Sequence, residues 1–113
     1  IMPGNVTFQT NSAQIQPAFY STLNQVAQSL NEFQNSSIRV TGHTDNTGND
    51  SINIPLSQNR AQAVAQYLSS QGVNYSRLQT AGMGSSYPIA SNSSAAGREQ
   101  NRRVELEVIY HQQ

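Results

Sequence analysis

Arg60 lies four residues after Leu56 and four before Val64, so on a helix it stands in line with an apolar stripe. Asn53, seven residues before Arg60, shares that face. A guanidinium keeps its proton, so a partly buried one needs an anion. Asp45, which ends the preceding strand-like segment, is the nearest candidate in topology, and a purely structural Asp45–Arg60 pair stays open as an explanation. Arg102 repeats the pattern from a strand. It shares parity with Val104, Leu106 and Val108 and is expected to point to the apolar face, whereas Arg103 shares parity with Glu105 and Glu107 and is expected to point to solvent. One acid beside two inward arginines leaves an excess of positive charge, which an anionic ligand group would complete.

Other chemistries fit less well. His43 and Asp45 fall on one side of a strand, as a metal pair or part of a hydrolytic triad would, but the only other histidine is His111 at the C-terminal end. No motif puts a serine nucleophile on a strand-to-helix elbow. The Asp45–Asp50 stretch departs from a calcium loop, because Gly48 is fourth instead of sixth and the twelfth position is Leu56 instead of Glu. Gly82-Met83-Gly84 has no helix signature behind it, which argues against a phosphate cradle. No metal and no cofactor are expected.

The elements that would position these residues are legible from periodicity. Val6 and Phe8 fall on one face of a short strand. Pro17 opens a helix whose apolar stripe is Phe19, Leu23, Val26, Ala27, Leu30 and Phe33. Ile38 to Thr44 alternates and reads as a second strand, followed by the turn-forming run Asp45–Asp50. A second helix is expected to begin near Ser51–Asn53, with Pro55 in its first turn, buried positions at Leu56, Val64, Tyr67 and Leu68, and Gly72 as its stop. Leu78 to Met83 suggests a third strand, residues 84–98 a Ser-, Ala- and Gly-rich loop, and Val104, Leu106, Val108 and Tyr110 the final, antiparallel strand. The order is β-α-β-α-β-loop-β. It predicts an α+β fold, a two-layer sandwich with two main helices on one face of a four-stranded mixed sheet, and a single domain over residues 1–113.

Composition narrows the function classes. Charged residues are 11% of the chain, every basic residue is Arg, and six acids bring the formal net charge to zero. Ser, Asn and Gln together make up 41 of the 113 residues. No large basic face can form, which argues against nucleic acid or anionic lipid as a partner. No apolar run reaches the length of a membrane span. Cysteine is absent, so disulfides and thiolate metal sites are excluded.

Thr41-Gly42-His43-Thr44-Asp45-Asn46-Thr47-Gly48, followed by Asn53-x-x-Leu56-Ser57-x-x-Arg60-Ala61-x-x-Val64, resembles the OmpA-like peptidoglycan-binding domain. The resemblance continues through Gly72-Val73, Arg77-Leu78, Gly82-x-Gly84, Pro88-Ile89-Ala90, Asn92, Gly97-Arg98 and Asn101-Arg102-Arg103-Val104-Glu105, and so covers nearly the whole chain. The opening Met2-Pro3-Gly4-Asn5-Val6-Thr7-Phe8 is most similar to outer-membrane lipoproteins of that family, and a domain of a larger membrane protein is the alternative. The resemblance implies a non-catalytic module that holds the meso-diaminopimelate of the peptidoglycan stem peptide. It also implies a place on the periplasmic side of a Gram-negative outer membrane, with attachment through a segment outside this chain. It further implies that Asp45 and Arg60 bind the amino and carboxylate groups at one end of diaminopimelate, that Thr47, Asn53 and Arg102 line the pocket, and, more loosely, that Asn11 does so. Asp45→Ala and Arg60→Ala are then expected to abolish wall binding and leave the fold intact. Ile54-Pro55 and Met83 depart from the family pattern, which bears on rim shape and affinity more than on ligand class. A module that docks a protein partner or forms a homodimer, and an enzyme acting on the wall, are the competing functions.

Overall fold

The computed structural model describes residues 6–111; the Met2–Asn5 part of the opening motif lies outside them. The strands are β1 (Val6–Thr7), β2 (Ser36–Gly42), β3 (Leu78–Gly82) and β4 (Arg103–Tyr110), and the helices are α1 (Tyr20–Glu32), α2 (Asp50–Ser70) and α3 (Ala95–Asn101). They form one sheet of order β1-β4-β2-β3. β4 runs antiparallel to β1 and to β2, with registers Val6↔Val104 and Val40↔Leu106, and β2 runs parallel to β3 with Val40 opposite Thr80. This is the expected α+β sandwich with a mixed sheet.

Alternation explains the core. Ile38, Val40, Val104 and Leu106 point from the sheet to the helices and meet Leu23, Ala27 and Leu30 of α1 and Ala61, Val64, Ala65 and Leu68 of α2. Close approach of α2 to β2 requires glycine at position 42. A Cβ there would press on the Ser57 carbonyl, 2.8 Å from its carbon, and lie 3.3 Å from the Ala61 nitrogen. At the far end of α2, Gly72 (φ +98°) donates to the Ser69 carbonyl at 3.0 Å, and Val73 to that of Leu68 at 3.3 Å. These two bonds close the helix as a Schellman motif.

Several local expectations are corrected. Segment 84–98 is not all loop, because α3 begins at Ala95, where the Ser94 hydroxyl caps the Gly97 N–H at 3.0 Å. Its seven residues carry no apolar stripe, so periodicity could not reveal it. α2 starts at Asp50, with Asn49 in the cap position, so Pro55 lies within the helix and beyond its first turn. Leu56 and Tyr67 are only partly buried, and Phe33 is 54% exposed beyond the end of α1, where its ring meets Tyr110 edge-on.

The largest correction concerns the paired arginines. Arg103 is 1% exposed, not turned to solvent. It lies on the outer sheet face as parity requires, but the segment before α3 covers it. Its Nη2 donates to the Tyr87 carbonyl at 2.9 Å and its Nε to Glu105 Oε2 at 2.8 Å. Arg102 precedes β4, so strand parity does not set its direction. Its Nε donates to the Phe8 carbonyl at 2.9 Å, which turns the side chain towards the end of β2.

Candidate functional site

β2 delivers His43, Thr44 and Asp45 to one end of the sheet, the first two turns of α2 deliver Asn53 and Leu56, and the third delivers Arg60. The loop after β1 closes the remaining side. There Ser12 N–H donates to the Gln9 carbonyl at 3.1 Å, and Asn11 takes up φ +56°, a left-handed conformation that Asn tolerates better than most residues. Asn11, Asp45, Thr47, Asn53, Arg60 and Arg102, the six residues singled out from the sequence, all line one small cavity of about 10 Å³. Larger hollows of about 360 and 660 Å³ lie elsewhere. Size is the poorer guide. The hollow of about 660 Å³ also holds one carboxylate and two guanidiniums, Glu105 with Arg39 and Arg103, but both arginines there are paired with glutamates, whereas in the small cavity Arg60 has no carboxylate partner among the described residues.

Arg60 forms its base and is fully buried. The Asp45–Arg60 pairing that the sequence left open is not made among the hydrogen bonds of Arg60. Arg60 instead donates from Nε to the Ser12 carbonyl at 2.8 Å, from Nη1 to that of His43 at 3.0 Å and from Nη2 to that of Gln9 at 3.0 Å. The guanidinium carbon stands 5.3 Å from the centroid of the Phe8 ring, an additional attraction for a buried cation. Three carbonyls and a ring face thus solvate the charge where the sequence argument asked for an anion. Burial, then repulsion from Arg102, pull the pKa down to about 10 against the opposing pull of Asp45, so Arg60 stays charged at neutral pH. Five N–H groups less three bonds leaves two to offer a ligand.

Asp45 pairs with Arg102. Its Oδ2 accepts from Arg102 Nη1 at 3.0 Å, and its Oδ1 accepts from the Thr47 backbone N–H at 2.8 Å. Burial alone would raise its pKa; the Thr47 backbone bond and the Arg102 contact outweigh burial and hold it below the usual 3.8. The carboxylate is therefore ionised at neutral pH. Asn53 is buried, whereas Asn11 and Thr47 are exposed at the rim.

Two residues that support the site were not singled out as functional. Ser57, fully buried, accepts from the Gly84 N–H at 2.9 Å and donates to the Ile54 carbonyl at 2.7 Å, tying α2 to the segment after β3. Helical spacing could have found it, since it lies four residues after Asn53 and three before Arg60. Asn101, also fully buried, accepts from the Ile89 and Ala90 N–H groups at 2.8 and 3.0 Å and donates to the Ala90 carbonyl and to Asn92 Oδ1 at 2.9 and 2.8 Å. No period marks it, because it ends a helix that has none.

Comparison with known proteins gives a consistent family. The sequence profile described as the OmpA family matches residues 7–102. The chain is 50% identical over 105 residues to the probable lipoprotein YiaD of Escherichia coli (strain K12), covering 93% of this chain and 48% of that protein. It is 46% identical over 105 residues to the peptidoglycan-binding protein ArfA of Mycobacterium tuberculosis, covering 93% of this chain and 32% of that one. It therefore spans about half, or less, of these curated relatives. Among solved structures, the peptidoglycan-associated lipoprotein from Burkholderia pseudomallei superposes with a TM-score of 0.90 at 32% identity, covering 93% of this chain and 89% of that one. The C-terminal domain of Helicobacter pylori MotB follows with a TM-score of 0.87 at 30% identity, covering 96% and 85%. With a profile match over most of its length and a shared fold at these identities, the chain belongs to the OmpA family.

Proposed function

We propose that this domain binds peptidoglycan without catalysis, by holding the zwitterionic end of meso-diaminopimelate in the stem peptide, and so fastens an outer membrane to the wall from its periplasmic side. The observation that carries this reading is the convergence of Asp45, Arg60 and Arg102 on one cavity. One carboxylate and two guanidiniums give the cavity a net positive charge, and relatives named for binding or associating with peptidoglycan point to the same ligand. Asp45 accepts the ammonium. The two N–H groups left on Arg60, with those of Arg102, take the carboxylate, and Asn53 and Thr47 meet the remaining polar atoms.

At about 10 Å³ the cavity holds no more than about one water-sized group, so ligand entry requires the rim to part. The rim residues Asn11 and Asn46 to Asn49 are exposed, and the contact that must yield is Asp45–Arg102. Charge-assisted bonds contribute roughly 1.5–3 kcal/mol each, so two or three of them, less the work of separating that pair, give about millimolar to tens of micromolar affinity for a soluble fragment. The wall offers the same site repeatedly, and tethering to a membrane raises the effective concentration.

Sedimentation with purified sacculi tests this reading. Wild type is expected to pellet with diaminopimelate-type sacculi and Asp45→Asn to remain in the supernatant. Equal pelleting of the two proteins would remove Asp45 from the site.

A further inference from the structure

The sheet face turned away from the helices carries an open hollow of about 660 Å³, within the roughly 300–1,000 Å³ span of small-molecule sites. Thr41, His43 and Glu105 line it from the sheet, and Met83, Tyr87 and Ile89 from the segment after β3. His43 is 3% exposed, and neither ring nitrogen has a hydrogen-bond partner among the described residues; Nε2 is 3.6 Å from Glu105 Oε1. An imidazole buried in this way leaves hydrogen-bonding capacity unmet in the lining of the hollow. The charges around it are already matched. Arg103 meets Glu105 at 2.8 Å and Arg39 meets Glu107 at 2.9 Å. Above them Tyr87 is 58% exposed, its ring perpendicular to His43 with centroids 6.3 Å apart, and Ile89 is 52% exposed.

These features select among occupants. A charged ligand finds no unmatched partner here. An extended peptide needs backbone groups along a strand edge; β2, which leads to His43, is committed on both sides, to β3 and to β4, and the free edge of β3 lies on its side away from β2. What fits is a neutral molecule with an apolar face for the tyrosine ring and hydroxyls that both donate and accept, able to bond to Glu105 or Arg39 without breaking their pairs and to reach an imidazole nitrogen where Tyr87 swings aside. That chemistry is a sugar's.

We propose that the outer face of the sheet, centred on Tyr87 and His43, binds the N-acetylated amino-sugar strand of peptidoglycan. The proposal rests on the stem-peptide reading and extends it to the rest of the polymer. His43 and Asp45 are two residues apart, about 7 Å along an extended chain, and they serve the two sites from one strand end. The third residue of an extended stem peptide lies roughly 10 Å from its sugar. One wall strand can then engage both sites, and the weak contacts reinforce each other.

The test is separate titration of the domain with a peptide-free β-1,4-linked N-acetylglucosamine tetramer and with diaminopimelate-containing stem peptide, followed by amide chemical shifts. Wild type is expected to bind the tetramer saturably in the millimolar range, with shifts at Thr41, His43 and Ser86. Tyr87→Ala is expected to weaken tetramer binding about tenfold, while Tyr87→Phe, which keeps the ring, stays near wild type. Both variants should bind stem peptide as wild type does. Stem-peptide binding without any tetramer binding would overturn the sugar site and leave the peptide reading standing. Tetramer binding unaffected by Tyr87→Ala would also overturn it. Tetramer binding that depends on Tyr87, with no stem-peptide binding, would support the sugar site and overturn the peptide reading.

Discussion

Arg102 Nη1 lies 3.0 Å from Asp45 Oδ2, and the two side chains are 15% and 7% exposed. This ion pair stands at the mouth of the cavity whose base is Arg60. The two arginines thus divide the work. Arg102 neutralises the only acid of the cavity in the absence of ligand, and Arg60 holds the main chain around it. In the binding mode proposed above, a ligand ammonium that takes Asp45 releases Arg102, whose guanidinium is then available to the ligand's carboxylate. The exchange keeps the number of charge-assisted bonds from falling and favours a zwitterion over a simple cation.

Arg60→Ala is expected to destabilise the domain by at least about 3 kcal/mol, since one buried and two part-buried carbonyls lose their donor at once and a cavity opens against Phe8. Urea unfolding measures it. The earlier expectation that this substitution leaves the fold intact is therefore revised, and Asp45→Asn is the cleaner probe of binding. A loss below about 1 kcal/mol would mean that the main chain does not depend on this guanidinium.

Asp45 makes stability fall in acid. Its folded pKa is below the ordinary 3.8, so the unfolded chain takes up the proton first. The contribution is complete above the unfolded value and disappears as pH falls through the folded one. Asp45→Asn should flatten the acid limb of the melting temperature below about pH 4. An unchanged limb would assign acid loss to other carboxylates.

His43 acts in a higher window. Burial, then Arg103, lower its pKa from the ordinary 6.5, against the opposing effect of Glu105. A depressed histidine leaves stability complete above about 6.5 and makes it decline as pH falls from there towards the folded value. His43→Gln should remove that slope below about pH 6.5. Imidazole proton resonances of wild type should show His43 titrating below the ordinary 6.5. A midpoint at or above that value would contradict the burial described here.

Gly42→Ala is expected to cost more than about 2 kcal/mol, because the added methyl meets the backbone of Ser57 and Ala61, which cannot turn aside as a side chain can. Gly72→Ala should cost about 1 kcal/mol, the price of a left-handed alanine with only the Asn31 amide nearby, at 3.5 Å. Chemical denaturation ranks the two. Equal losses would refute the close packing of β2 against α2.

The candidate site was legible where chemistry breaks a period. Arg60 interrupts an apolar helix face, and its full burial follows directly from that interruption. Its partners were not legible. Sequence argument looks for an opposite charge, and the three acceptors are carbonyls of Gln9, Ser12 and His43, which every residue carries. Arg102 was assigned to the site from strand parity and from the family resemblance; it does line the cavity, although β4 starts one residue later, so its direction is set by its bonds to Phe8 and Asp45. Its neighbour Arg103 was misplaced because parity gives a sheet face and says nothing of a loop folded across that face. The four strands and two long helices followed from periods of two and 3.6. α3 escaped because seven residues of Ala, Gly, Arg, Glu, Gln and Asn show neither. Asn11 came only through the family resemblance, and its left-handed backbone places it at the cavity rim.

The most direct test of the central claim is calorimetric titration of the domain with a diaminopimelate-containing stem peptide beside its lysine-containing analogue, which has the terminal ammonium but lacks the carboxylate next to it. The account predicts saturable binding of the first in the micromolar-to-millimolar range, at least about tenfold weaker binding of the second, and loss of both with Asp45→Asn. Equal affinity for the two peptides, or binding that survives Asp45→Asn, would contradict recognition of a zwitterionic end group by Asp45, Arg60 and Arg102.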